Sequence, residues 1–396
     1  MWRRPLALVR PRSLELEAAD VGYALQPQVM LPGNRIAVLR DGTESYPAML
    51  EAIAAAKTYV HLESYIFHSD QTGRRFGEAL IGRAKAGVTV RLLFDAVGSL
   101  DLDGGFVREL QQAGVRAVAF RPFSWKSGWG FNRRDHRKIL VVDGRVGFTG
   151  GLNIGDEYAA VEQGGGGWHD LHAKIEGPAV GELARLFRKT WFAAGGDRYL
   201  HKEEPSAESV ATEHTAFAVA LGNEEIRRRR TIRRFYLHAM RRARLTIRIM
   251  NAYFIPDRGI RRVLVNAVKR GVAVSVVVPA RNDIRSVQFA GHHVFANLLR
   301  AGVRIFEWPE RMLHAKAAVV DSVWASIGSY NLDARSLFHN LEVALCIVDR
   351  EFAAGLDAQL AADAGKSKEI KLEEWRTRPF WRRFAEWFFY QFRHWL

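Results

Sequence analysis

Stretches with apolar residues at helical spacing alternate along this chain with short β-branched runs. Phe76 to Ala86 and Ile260 to Lys269 show the helical period, and each passes through a Gly-Val pair into a run that reads as a buried strand. Ala86-Gly87-Val88-Thr89-Val90 is matched by Arg270-Gly271-Val272-Ala273-Val274, and Ala113-Gly114-Val115-Arg116 by Ala301-Gly302-Val303-Arg304. Upstream, Tyr65 and Asp70 are echoed by Tyr253 and Asp257. Strand and helix alternate twice over. The pattern predicts an α/β protein of two similar domains, each a mixed β-sheet flanked by helices, related by a pseudo-twofold axis around one shared active site. The predicted divisions are an N-terminal extension over 1–34, a first domain over 35–205, a second over 206–365 and a tail over 366–396.

Chemistry enters with the polar residues that repeat. His136, Lys138, Asp143 and Asn153 return as His314, Lys316, Asp321 and Asn331, each displaced by 178 (314 − 136 = 321 − 143 = 331 − 153). In both copies a strand ends at a turn, Asp143-Gly144 or Asp321-Ser322, and His and Lys two apart on a strand point to one face. The offset is 188 at the Ala-Gly-Val-Arg segments (301 − 113), so the first half carries ten extra residues before His136. They fall in Phe123 to Arg134, whose Trp125 and Trp129 suit either a pocket mouth that grips an amphiphile or a locally packed surface loop.

A phosphodiester needs cations on its nonbridging oxygens, a nucleophile and an acid for the leaving alcohol. Lys138 and Lys316 supply the cations, and Asn153 and Asn331 supply hydrogen bonds from the small-residue turns Gly150-Gly151 and Gly328-Ser329. One histidine attacks phosphorus while the other serves as acid and then base. Each imidazole needs a carboxylate to fix its tautomer, and Asp170 and Glu342, aligned between the repeats, are the candidates. Asp143 and Asp321 belong to the catalytic motif by spacing, yet five residues beyond the lysine they fall at the far end of the strand, where a structural role is expected. A lysine between potential ligands repels a metal ion, so neither metal nor cofactor is expected.

A net charge of +15 implies an anionic partner, either nucleic acid or an acidic membrane face. Arg227 to Arg230 open a basic segment that reads as a helix capped by Asn223, while His292-His293 reads as a loop and Gly164 to Gly167 as a flexible loop. The tail from Phe380 to Leu396 favours membrane: its polar residues at 382, 383, 386, 393 and 394 share one helical face and its aromatics, with Trp381, Trp387 and Trp395, crowd the other. An interfacial helix and a helix docked on its own protein both fit that pattern. No run approaches a membrane span, and the lone Cys346 excludes a disulfide framework. The reading is a cytoplasmic protein held peripherally on the inner face of the cell membrane, with oligomeric state undetermined.

Both tetrads fit His-x-Lys-x4-Asp followed by Gly-Gly/Ser-x-Asn, and in this the chain resembles the phospholipase D superfamily. The wording of His136 to Gly144, Phe148 to Asn153, Asn251 to Asp257 and Gly328 to Asp333 is similar to that of bacterial cardiolipin synthases, here a peripheral form without N-terminal membrane helices. The resemblance implies metal-independent phosphatidyl transfer through a phosphohistidine, with His136 the nucleophile and His314 the acid. One phosphatidylglycerol donates and another accepts, giving cardiolipin and glycerol, and no nucleic-acid partner is expected. Two alternatives keep the same core: a phospholipase D with water as acceptor, giving phosphatidic acid, and a metal-independent nuclease.

Overall fold

A computed structural model describes residues 18–122, 132–197, 215–223 and 230–395. Their fifteen strands form one continuous sheet. In the first half these are β1 (Leu31–Arg40), β2 (Tyr59–Ser64), β3 (Thr89–Asp95), β4 (Arg116–Phe120), β5 (Ile139–Val142), β6 (Val146–Gly150) and β7 (Leu171–Glu176). The second half repeats them as β8 (Ala216–Asn223), β9 (Thr246–Asn251), β10 (Ala273–Pro279), β11 (Arg304–Trp308), β12 (Lys316–Val320), β13 (Trp324–Gly328) and β14 (Glu342–Val348), and adds a short β15 (Lys368–Glu369).

The first half runs β1-β7-β6-β5-β2-β3-β4 from the centre to one edge, and the second runs β8-β14-β13-β12-β9-β10-β11 to the other, with β15 outermost. The two orders are the same. Outer strands β2-β3-β4 and β9-β10-β11 are parallel, and the inner ones are antiparallel. β1 and β8 join the halves edge to edge, with a register shift between Leu31 and Asn34. The predicted division at 205/206 falls outside the described residues, and no sheet edge separates the halves.

The repeated Gly-Val pairs have a backbone reason. Gly87, Gly114, Gly271 and Gly302 sit at φ of +86, +95, +88 and +90°, and each following valine N–H reaches back to a carbonyl in the helix's last turn, as from Val88 to Arg83 at 3.0 Å and Val272 to Ala267 at 3.1 Å. A left-handed residue ends each helix and turns the chain into the next strand, and only glycine does so without strain.

One face of the sheet carries a core shared by both halves. The helix Ala179–Ala193 and residues of β5 and β7 pack there with β8, β12, β13 and β14, and the helix Arg350–Lys366 closes the same layer. On the opposite face each half has its own core. The shared layer leaves the halves no freedom to separate without exposing it.

Three local expectations are corrected. Asn223 ends β8, and the basic helix begins at Thr231 and runs to Arg242. Its arginines 227–229 lie outside the described residues. His292 and His293 belong to the helix Arg285–Arg300, where His292 is buried and His293 stacks on Tyr390 at 4.3 Å. The glycine run is a pinned turn, because Gly165, Gly166 and Gly167 donate their N–H groups to Ala160, Asp156 and Ala159 at 2.7–2.9 Å. The tail helix Phe380–Gln391 docks through its polar face, where Glu386 is buried against Arg378, and the aromatics Phe380, Trp381, Phe384, Trp387 and Phe388 face solvent. A carboxylate with an arginine partner can be buried at the dock, leaving the aromatic side without cover.

Candidate active site

The two tetrads meet at the junction of the halves. His136 and Lys138 lead into β5, and His314 leads into β12, which Lys316 opens. Each histidine is fastened by the opposite half. The His136 N–H donates to the Leu341 carbonyl at 3.0 Å, and the His314 N–H donates to the His169 carbonyl at 2.7 Å.

The side chains cross in the same way. Nδ1 of His136 lies 3.1 Å from Glu342 Oε2, and Nδ1 of His314 lies 2.8 Å from Asp170 Oδ2. A carboxylate on Nδ1 places the proton there and leaves Nε2 with a free lone pair. Both carboxylates are fully buried. They are held differently: Glu342 also accepts from Ser329, from Ser336 at 2.8 Å and from Asn340 at 3.2 Å, whereas Asp170 accepts from the Leu171 N–H at 2.7 Å. Burial would raise both, but His136, Lys138 and Ser329 bring Glu342 below the usual carboxylate range, and Asp170 stays above it.

The turn that carries the Gly-Gly/Ser motif touches these carboxylates. A Cβ on Gly151 would meet Asp170 Oδ1 at 2.1 Å, so a side chain there would displace the partner of His314. At the corresponding position in the second half, Ser329 turns its hydroxyl onto Glu342. Glycine makes room for the aspartate, and serine reaches the longer glutamate.

Lys138 and Lys316 are buried side by side with the imidazoles, and each Nζ donates to the carbonyl of its own histidine, at 2.7 Å for Lys138. Burial pushes Lys138 down to about 7 and Lys316 to about 8. Burial and the neighbouring lysines also lower both histidines, His136 to about 4. Without substrate charge the site therefore holds neutral imidazoles and amines that titrate near neutrality.

Asp143 and Asp321 lie at the other end of the hairpins, at φ of 52 and 55°. Asp143 accepts the N–H groups of Lys57, Thr58 and Tyr59 at 2.8–2.9 Å, and Asp321 those of Arg244, Leu245 and Thr246 at 2.7–2.8 Å. Both staple the incoming loop to the strand. Asn153 takes the Ile66 N–H at 3.1 Å and donates to the Tyr158 hydroxyl at 2.6 Å, while Asn331 Oδ1 receives the Tyr253 N–H at 3.4 Å. Trp125 and Trp129 lie outside the described residues. Trp381, Trp387 and Trp395 are 66, 48 and 63% exposed on the tail.

Aromatic walls were not anticipated. Tyr65 meets His136 edge-on at 4.9 Å, and Tyr253, Tyr158 and Trp168 surround His314 at 5.4–6.3 Å. The Tyr65/Tyr253 echo in the repeat was the available signal. Another unanticipated residue is Arg137, which points away from the pocket and ties Thr190 at 2.8 Å, the Asn223 carbonyl at 3.1 Å and the Glu342 carbonyl at 3.2 Å together across the halves. Among the described residues, His68, Asp70 and Glu157 bring three possible metal-ligand atoms together, but Asp70 already caps the helix Gln71–Lys85 through the Gly73 N–H at 2.8 Å.

Known proteins share this plan. The family described as "Cardiolipin synthase, PLD-like domain" matches residues 49–191 and 236–364. A cardiolipin synthase 2 of Bacillus anthracis is 37% identical over 349 residues, 88% of this chain and 68% of that protein. A cardiolipin synthase A of Pseudomonas fluorescens is 36% identical over 349 residues, 87% of this chain and 72% of that protein. Among solved structures, a phosphatidylserine synthase of Haemophilus influenzae superposes with a TM-score of 0.70 over 94% of this chain and 96% of its own, at 14% identity, a likeness of fold. The paired motifs, the doubled sheet and the match across both halves together place this chain in the cardiolipin synthase family of phospholipase D-like proteins.

Proposed function

We propose that the protein is a phosphatidyltransferase that converts two molecules of phosphatidylglycerol into cardiolipin and glycerol on an anionic membrane surface. The crosswise His–carboxylate pairs carry this reading, since they supply two imidazoles with free Nε2 atoms and opposite duties. Nε2 of His136 attacks phosphorus as the bond to the glycerol headgroup breaks. His314, taken up to the imidazolium as the charge of the bound phosphodiester favours its protonation at Nε2, donates that proton to the departing alkoxide, leaving a phosphatidyl group on His136. His314 then removes the proton from a hydroxyl of the second phosphatidylglycerol, whose oxygen attacks phosphorus and frees His136.

The carboxylates favour this division of labour. Glu342, kept anionic by its donors, stabilises the positive charge that Nδ1 shares once Nε2 is bonded to phosphorus. Asp170, the poorer anion, leaves His314 a stronger acid. Lys138 and Lys316 meet the nonbridging oxygens, with Asn331 and the second amide hydrogen of Asn153 adding hydrogen bonds. Asp143 and Asp321 hold the hairpins that aim the tetrads. The negative charge of a bound phosphodiester keeps both lysines protonated.

The membrane assignment draws on the tail, where five aromatic side chains of one helix face water. Among the described residues no helix is long and apolar enough to cross a membrane. An interfacial seat for Trp381, Trp387 and Trp395, with cations worth roughly 1 kcal/mol each on anionic lipid, suits that face. Incubation with phosphatidylglycerol vesicles is expected to give cardiolipin and glycerol in equal amounts. Phosphatidic acid as the main product would make water the acceptor, and neither product would sink the proposal.

A further inference from the structure

A cavity of about 460 Å³ lies between the basic helix Thr231–Arg242, the helix Arg258–Lys269, the short helix Ala334–Phe338 and the end of the tail helix. We propose that it is a second anionic site, which holds the phosphate of a glycerophospholipid that does not react. This inference rests on the membrane-surface reading above.

Five arginines line the cavity against one carboxylate, Asp257, and that carboxylate is engaged by Arg233 through two bonds of 2.7 Å. Arg230, Arg258, Arg261 and Arg393 remain, and no carboxylate among the described residues forms an ion pair with them. Aromatic groups hold three of them in place. Arg393 lies 4.4 Å over the Tyr390 ring and donates to its carbonyl at 2.9 Å, Arg261 donates to the Tyr390 hydroxyl at 3.2 Å, and Arg230 lies 5.7 Å from the Phe338 ring. Guanidinium groups gathered without counter-charge repel one another, and a phosphodiester with its planar pairs of oxygens removes that repulsion while accepting bidentate hydrogen bonds.

The apolar surroundings select a lipid over a bare anion. Leu337 and Ile255 supply part of the wall, and the tail that contributes Tyr390 and Arg393 also carries the exposed Phe388 and Phe392. A phosphate seated among the arginines would leave its acyl chains to run past those rings into the bilayer. Neither catalytic histidine nor either catalytic lysine lines the cavity. The turn bearing Asn331 reaches the wall of the cavity, since the Ile255 N–H bonds the Leu332 carbonyl at 3.0 Å.

The test counts short-chain lipid bound to the full-length chain in an inactive His136→Ala background, using dihexanoyl phosphatidylglycerol below its micelle concentration in equilibrium dialysis. Two equivalents are expected per chain, falling to one when Arg261→Gln and Arg393→Gln are added. Arg258→Gln alone, at an exposed position, is expected to weaken the second equivalent about tenfold by removing one charge-assisted contact. Dihexanoyl phosphatidylcholine, with no net charge, is expected to fill the second site about tenfold less well. An unchanged stoichiometry in both arginine variants overturns the proposal, as does displacement by inorganic phosphate at the concentrations at which the lipid itself competes. Because the background does not turn over, loss of the second equivalent is read independently of whether the wild-type protein makes cardiolipin.

Discussion

At the scale of single residues the pocket is assembled against its own stability. Lys138 is buried beside a second lysine, and its pKa of about 7 lies below the ordinary 10.5. Between those values the unfolded chain binds the proton that the folded chain gives up. The resulting penalty is therefore full below pH 7 and is relieved as pH rises towards 10.5. Lys138→Met, similar in shape and uncharged, removes the penalty and loses one hydrogen bond. At pH 6 it is expected to stabilise the fold by about 2 kcal/mol while abolishing transfer, which thermal unfolding and product assays check together. A lower melting temperature would contradict the electrostatic account. The same titrations set the pH profile: kcat/KM is expected to fall on the alkaline side above about pH 7 to 8, as Lys138 and Lys316 lose their protons in the free enzyme. Gly151→Ala is expected to cost at least about 100-fold in kcat with the fold intact, because its Cβ lands on Asp170. An activity within tenfold of wild type would show that Asp170 does not orient His314.

At the scale of elements, the histidines and lysines were legible in sequence because they repeat at a fixed offset of 178, and Asp170 and Glu342, 172 apart (342 − 170), because the segments that carry them align between the halves. The Gly-Val pairs were legible for a local reason, since a left-handed residue must end each helix whatever lies around it. Contacts between distant segments were not. The polar and aromatic faces of the tail were legible, but which of them docks was not, since Glu386 is taken inward by Arg378 and by His292 of the helix Arg285–Arg300. The helix docks through Phe389, 5.7 Å from Phe289, and through Tyr390 on His293. Trp381→Ala with Trp387→Ala is expected to reduce binding to phosphatidylglycerol vesicles at least tenfold, given the area of two aromatic anchors, with little change in melting temperature. Cosedimentation decides it, and unaltered vesicle binding would return the tail to a packing role.

At the scale of the whole molecule, the doubled strand order was implied by the repeat, but its joining into one fifteen-strand sheet was not, because β1 and β8 meet through backbone edges that carry no sequence signature. That joining makes the site depend on both halves. His136 leans on Leu341 and Glu342, and His314 leans on His169 and Asp170, so neither half contains a complete imidazole–carboxylate pair. The most direct test of two half-sites with opposite duties is to trap the covalent intermediate. Phosphatidylglycerol labelled in its phosphate is incubated with His136→Gln and His314→Gln proteins, and acid-labile label on the chain is measured after denaturation. Label is expected to accumulate on His314→Gln and to be absent from His136→Gln. Label persisting on His136→Gln would contradict that assignment of duties.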